Sequence, residues 1–234
     1  MMRARDVMTT TVHTVAPETS IADIARLLVD RRIGAAPVVE ATGRLVGIVS
    51  ESDLMRRPEI GTERQRSWLM RFLSDPQALA EEYVKSEGPA AAAVMTRKVV
   101  TVGPDAPLDE VAGLMEDNRI KRVVVVDEGR VCGIVSRANF VQAIATHGAP
   151  PRVEAAASDA GDAALRDQLL DKIRRQPWSQ GPAFNVLVSG GVAHLWGAVR
   201  NDEERQAMVV AAQTLPGIRA VEDHLAVVRW NFGA

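Results

Sequence analysis

The sequence predicts an α+β protein: two β-α-β-β-α repeats in tandem, followed by a small α-β-β-α-β domain. Three observations predict it. A set of short motifs recurs in fixed order at a nearly constant offset. Apolar residues switch between helical spacing and near-continuous valine runs within each copy. A different motif set begins after a Gly/Pro/Ala/Ser-rich stretch.

The 234 residues are enough for cores of real size, and the apolar and charged fractions, 47% and 25%, are those of an ordinary globular chain. Aromatics stand at 4%, so the cores must be built from Val, Ile, Leu and Ala. The net charge of −2 lacks the basic excess of a dedicated nucleic-acid binder, and no such partner is expected. No apolar run follows Met1-Met2-Arg3-Ala4-Arg5-Asp6, and no stretch approaches the roughly 20 apolar residues of a spanning helix. The single cysteine, Cys132, suits a reducing compartment, and a soluble cytoplasmic location is the expectation.

Asp6-Val7-Met8-Thr9 recurs as Ala93-Val94-Met95-Thr96, an offset of 87 from Met8 to Met95. Val15-Ala16-Pro17 meets Val102-Gly103-Pro104, and Arg32-Ile33 meets Arg119-Ile120, at the same offset. Gly47-Ile48-Val49-Ser50 meets Gly133-Ile134-Val135-Ser136 one residue closer. Each copy opens on a short Val/Thr-rich segment, 11–15 or 99–102, before a proline-marked turn. Ile21, Ile24, Ala25 and Leu28, and then Leu108, Val111, Leu114 and Met115, have the spacing of an amphipathic helix. Two strands follow in each copy, 36–39 with 45–49 and 123–126 with 131–135, turned by Gly43-Arg44 and Gly129-Arg130. A second helix is expected from near Ser50 and Ser136. One copy alone is too small for comfort, so a shared core with two related clefts is expected.

The segment with chemistry is Gly47-Ile48-Val49-Ser50-Glu51-Ser52-Asp53. A helix N-terminus at Ser50 would offer free N–H groups to a phosphate, Gly47 would admit a ligand close to the backbone, and Asp53 could accept two hydrogen bonds from a ribose diol. Ser50-x-x-Asp53 is equally the pattern of a capping box, which needs no ligand.

The Val-Met-Thr lead-in, the Ile33-Gly34-Ala35-Ala36-Pro37-Val38-Val39 strand and the Gly-Ile-Val-Ser-x-x-Asp exit, seen twice, resemble the CBS domain pair, or Bateman module, over residues 1–147. The resemblance implies an adenosine nucleotide (AMP, ADP or ATP) between the copies, with the Ser and Asp of one facing the first strand of the other. A first cleft would combine Ser50, Ser52 and Asp53 with Val99, Val100, Lys121 and Arg122. Lys121 and Arg122 would supply cationic charge, although a solvated basic pair needs no ligand. A second, degenerate cleft would comprise Val12, Gly34, Ala35, Ala36, Pro37, Ser136 and Asn139. There Asn139 replaces the aspartate and Gly34 and Ala35 replace the cations, so the clefts should be unequal. The resemblance also implies a homodimer.

The expected domains are repeat 1 at 1–56, a helical connector at 57–92, repeat 2 at 93–147, a linker at 148–162 and the small domain at 163–231. The connector reads as two helices, 63–73 and 76–85, anchored by Trp68, Leu69, Phe72 and Tyr83. In the tail, Leu165, Leu169, Leu170 and Ile173 mark a helix over 164–175. Strands at 184–188, 192–195 and 221–228 and a helix at 202–214 complete it. With Gly191-Val192-x-x-Leu195-x-Gly197-x-Val199 and Leu215-Pro216-Gly217-Ile218, this tail resembles a BON domain. That resemblance implies binding to a protein partner or to phospholipid. From 160 to 234 eight basic side chains balance eight acidic ones, which gives no pull toward an anionic bilayer and favours protein. Trp178, Trp196 and Trp230 are candidate anchors, with core packing as the alternative.

His13, His147, His194 and His224 show no pair at metal-ligand spacing in sequence, and no metal site is expected. Nucleophile elbow, P-loop and dinucleotide fingerprint are absent, so no catalysis is expected. The functional expectation is an adenine-nucleotide-binding regulatory sensor in signalling, whose BON-like tail contacts a partner or membrane. The alternative is a constitutive interaction or envelope-associated scaffold with vestigial clefts.

Overall fold

The computed structural model describes residues 2–55, 57, 60–62, 88–147, 156–179, 181 and 183–228. The connector's expected helices with Trp68, Leu69, Phe72 and Tyr83, and Trp230, lie outside these residues.

The chain forms two compact units that do not follow the repeats in sequence. One holds Met1–Val12, Thr101–Asp127 and Cys132–Ala234; the other holds His13–Val100 and Glu128–Val131. Each copy's lead-in segment therefore packs with the opposite copy.

Helix α1 (Ala4–Val7) belongs to the first of these units, and the second opens with helix α2 (Ile21–Arg31). Ser20 caps α2 through its hydroxyl, which accepts from the Asp23 N–H at 3.1 Å. The helix stops at Arg32, which takes a left-handed conformation at φ 51°. Strands β1 (Ala35–Val39) and β2 (Leu45–Ser50) pair antiparallel. Gly43 closes their turn at φ 84°, where a side chain would be strained. Val15 bridges in parallel to Val38, so the expected opening strand is a single bridged residue here. Helix α3 (Ala91–Val94) docks by backbone bonds from Ala91 and Ala92 to the carbonyls of Thr19 and Pro17. The core joins Ile24, Leu28, Val38 and Val49 with Ala91, Val94 and Met95.

In the first unit, α1 docks in the same way, from Ala4 and Arg5 to the carbonyls of Ala106 and Pro104. Strand β3 (Thr101–Val102) runs parallel to β4 (Arg122–Asp127), and α4 (Leu108–Asp117) buries Val111 and Met115. The order β3-β4-β5 completes the sheet, with β5 spanning Arg130–Ser136. Val123, Val124 and Val125 are all fully buried, as the unbroken valine run requires. Helix α5 follows over Arg137–His147. Repeat 1 differs at this point: its exit is a three-residue 3₁₀ turn, Glu51–Asp53, where a helix was expected.

The tail lies in the same unit. Its helix α6 runs Ala156–Arg174, so 156–162, expected as linker, are helical. Strands β6 (Phe184–Ser189), β7 (Val192–Val199) and β8 (Ala220–Val227) form a sheet in that order, β6/β7 antiparallel and β7/β8 parallel, with α7 (Asp202–Gln213) before β8. Leu169, Leu170 and Ile173 of α6 and Met208, Ala211 and Ala212 of α7 cover one face over Val186, Val188 and Leu195. Trp178 packs against this core, partly buried.

Candidate functional site

At the end of β2 the chain is extended through Ser50 and then tightens into the 3₁₀ turn. The Ser50 N–H donates to Asp53 Oδ2 at 2.8 Å, the Ser50 hydroxyl donates to the same oxygen at 2.7 Å, and the Ser50 and Ser52 hydroxyls lie 2.7 Å apart. The capping box is real. Both Ser50 donors end on Oδ2, and among the described residues Oδ1 of this half-buried carboxylate accepts none. Capping therefore leaves one anionic oxygen uncommitted. A helix dipole aimed at a phosphate does not exist here, because three 3₁₀ residues do not make one.

Gly47 is explained by packing. A Cβ there would overlap the Sδ of Met95, which lies over the strand, and a Cβ at Gly133 would overlap that of Met8. The expectation that Gly47 admits a ligand gives way to this: the methionine of each Val-Met-Thr lead-in seats on the glycine of the other copy's exit strand. Gly34 and Ala35 lie beside the first exit motif, Ala35 opposite Ser50 and the Gly34 carbonyl accepting from Glu51 N–H at 3.2 Å. Ala36 is part of the core and Pro37 is buried beside it. Val99 and Val100 are half-buried in the same unit.

The exit motif of repeat 2 is built the same way and used differently. Ser136 N–H and hydroxyl donate to Asn139 Oδ1 at 2.7 and 2.8 Å. The amide's other end donates to Thr9 Oγ1 at 3.3 Å and Gln142 Oε1 at 3.4 Å, and Asn139 is 2% exposed. An amide accepts at one end and donates at the other, which an ionised aspartate at this position could not do. Lys121 is exposed and Arg122 half-buried; the Lys121 carbonyl accepts from Arg137 N–H at 3.2 Å. Asp53 belongs to one unit and Lys121 and Arg122 to the other; Val12 and Gly34 to Pro37 are divided likewise.

The network continues into the tail. Asn185 on β6 donates to Gln142 Oε1 at 3.0 Å and to the Val7 carbonyl at 3.1 Å. Arg166 on α6, 3% exposed, donates through Nη2 to the Met8 carbonyl and through Nε to the Val186 carbonyl, both at 2.7 Å. Burial pulls its guanidinium down to about 10, against the nearby Asp167 and Asp6 carboxylates. Sequence reasoning missed this set: isolated Asn, Gln and Arg residues carry no motif, and only the fold brings them together.

It likewise missed that His194 and His224 converge. Parallel pairing sets Glu222 beside His194 and His224 beside Trp196. Cys132 donates its S–H to the Val125 carbonyl at 3.5 Å, and burial pushes its thiol up, which marks an unreactive sulfur.

Family models for the CBS domain match residues 4–59 and 91–146, and one for the BON domain matches 161–229. This is a CBS-pair protein with a BON domain behind the pair. An uncharacterized protein of Methanocaldococcus jannaschii is 34% identical over 155 residues, which are 62% of this chain and 92% of that one. The CBS domain-containing protein CBSX2, chloroplastic, of Arabidopsis thaliana is 30% identical over 143 residues, 56% of this chain and 58% of that one. A crystal structure of CBSX2 in complex with AMP superposes with a TM-score of 0.55 at 28% identity, covering 63% of this chain and 99% of that one. The similarity to CBSX2 spans little more than half of the curated plant chain. No helix among the described residues of this CBS-pair protein is long and apolar enough to cross a membrane.

Proposed function

We propose that this CBS-pair protein is a regulatory sensor of adenine nucleotides, with AMP as its first ligand, and not an enzyme. The observation that carries the reading is the similarity of the pair to a chain crystallised with AMP, together with an exit-motif carboxylate whose Oδ1 is uncommitted. In the first cleft Asp53 Oδ1 takes the ribose hydroxyls, Ser50 and Ser52 line the sugar, and Val99 and Val100 flank the base. ADP or ATP would present the same sugar to Asp53. Native mass spectrometry of the purified chain tests this: AMP, ADP or ATP retained, or taken up when added, is the expected result. A chain that neither retains nor takes up any of them contradicts it.

The buried amides give a route from the pair to the tail. A ligand that moves Asn139 would disturb Gln142 and Asn185, and so the seating of the BON domain on the Val7–Met8 segment. A protein partner or a phospholipid surface would read the change. The setting is cytoplasmic and the assembly a homodimer, for which Val141 and Ile144, 66% and 71% exposed on one face of α5, are fitting contacts.

One observation favours a second reading. Asn139 is saturated by protein partners, as a structural residue would be. On that reading the second cleft is vestigial and the BON domain is held constitutively as part of an interaction or envelope-associated scaffold.

A further inference from the structure

We infer that the face of the tail sheet turned away from α6 and α7 carries a binding site for a divalent transition ion of the zinc type, made by His194, Glu222 and His224. Glu222 Oε2 lies 3.3 Å from His194 Nδ1 and 3.5 Å from His224 Nε2, and all three ligand atoms fall within 4.8 Å of one another. An ion held tetrahedrally by nitrogen and oxygen at about 2.0–2.1 Å has ligand-to-ligand edges of about 3.3–3.4 Å. Two of the three edges are already at that length. The third, within 4.8 Å, closes by a small shift of the His224 ring, which is one-third exposed.

The scaffold is rigid where it must be. His194 is 6% exposed on the central strand β7, and parallel pairing fixes Glu222 directly beside it. Trp196 stacks on His224 with ring centres 3.8 Å apart, and the two histidine rings are stacked at 5.8 Å within 4° of parallel. Alternation along β8 turns Asp223 to the other face, where it pairs with Arg205 at 2.7 Å, so that neither its charge nor the guanidinium enters the cluster. Two imidazoles and one carboxylate suit a borderline ion such as zinc, and three protein ligands leave a fourth position for water or for a group from a partner. Bound there, the ion would clip β8 to β7 on the face opposite α6 and α7.

Calorimetric titration of zinc chloride into the full chain, stripped beforehand with a chelator, tests the site. One saturable site per chain is expected, weakened about tenfold or more by His224→Ala and by Glu222→Gln. Glu222 is more than half exposed, so its variant keeps the fold should the histidine variant lose it. Absence of saturable binding in the unaltered chain overturns the proposal, as does zinc binding that survives Glu222→Gln unchanged.

Discussion

A methyl group at position 47 would collide with the sulfur of Met95, and one at position 133 with that of Met8. Both glycines are visible as repeated residues, but a sequence shows no partner for a missing side chain. Gly133→Ala is expected to lower stability by about 1–3 kcal/mol, as overpacking does, and Gly133→Ala combined with Met8→Ala to recover part of it. Urea unfolding of the single and double variants measures both; a harmless Gly133→Ala would contradict the packing. Asp53 and Asn139 show the opposite balance. Their spacing from the serine was legible at once, and the cap that it forms is present in both copies. What remained hidden was the use of the leftover atoms: an uncommitted oxygen at 53, and an amide nitrogen at 139 spent on Thr9 and Gln142. The histidines at 194 and 224 were legible singly and not as a pair, because only the parallel register of two strands separated by a helix aligns them.

Among elements, the helices Ile21–Arg31 and Leu108–Asp117 and the hairpins after them followed from apolar period and turn glycines. Signals that act over one turn of chain survive in sequence; those that need a distant partner do not. The start of α6 at Ala156 was obscured by small residues and Gly161, which suggest a linker, while the alanines among them favour helix. The swapped docking of α1 and α3 has no local signature at all, being fixed by backbone bonds to residues about a hundred positions away in one case and about seventy in the other. The contact between the BON domain and the Val7–Met8 segment is of the same kind. Arg166→Met should cost about 3 kcal/mol, because it orphans the buried Met8 and Val186 carbonyls as well as removing the donor. Asn185→Leu should loosen the same contact. Hydrogen exchange would show both as faster exchange over residues 4–9 and 184–189; unchanged protection in both would mean that the polar contact does not hold these elements together.

For the whole molecule, the family and the order of its domains were readable from motifs alone, while assembly and ligand were not, since both depend on surfaces that no single stretch of chain defines. A homodimer through the apolar face of α5 should appear in sedimentation velocity, and Val141→Asp with Ile144→Asp should return a monomer. A monomer in the unaltered chain contradicts that assembly. Sensing itself comes down to whether an adenine nucleotide is gripped by its sugar at Asp53. The direct measurement is calorimetric affinity for AMP and for adenosine in the unaltered chain and in Asp53→Ala. The sugar contact predicts that Asp53→Ala weakens both ligands about tenfold or more. Unchanged AMP affinity in Asp53→Ala would contradict the account.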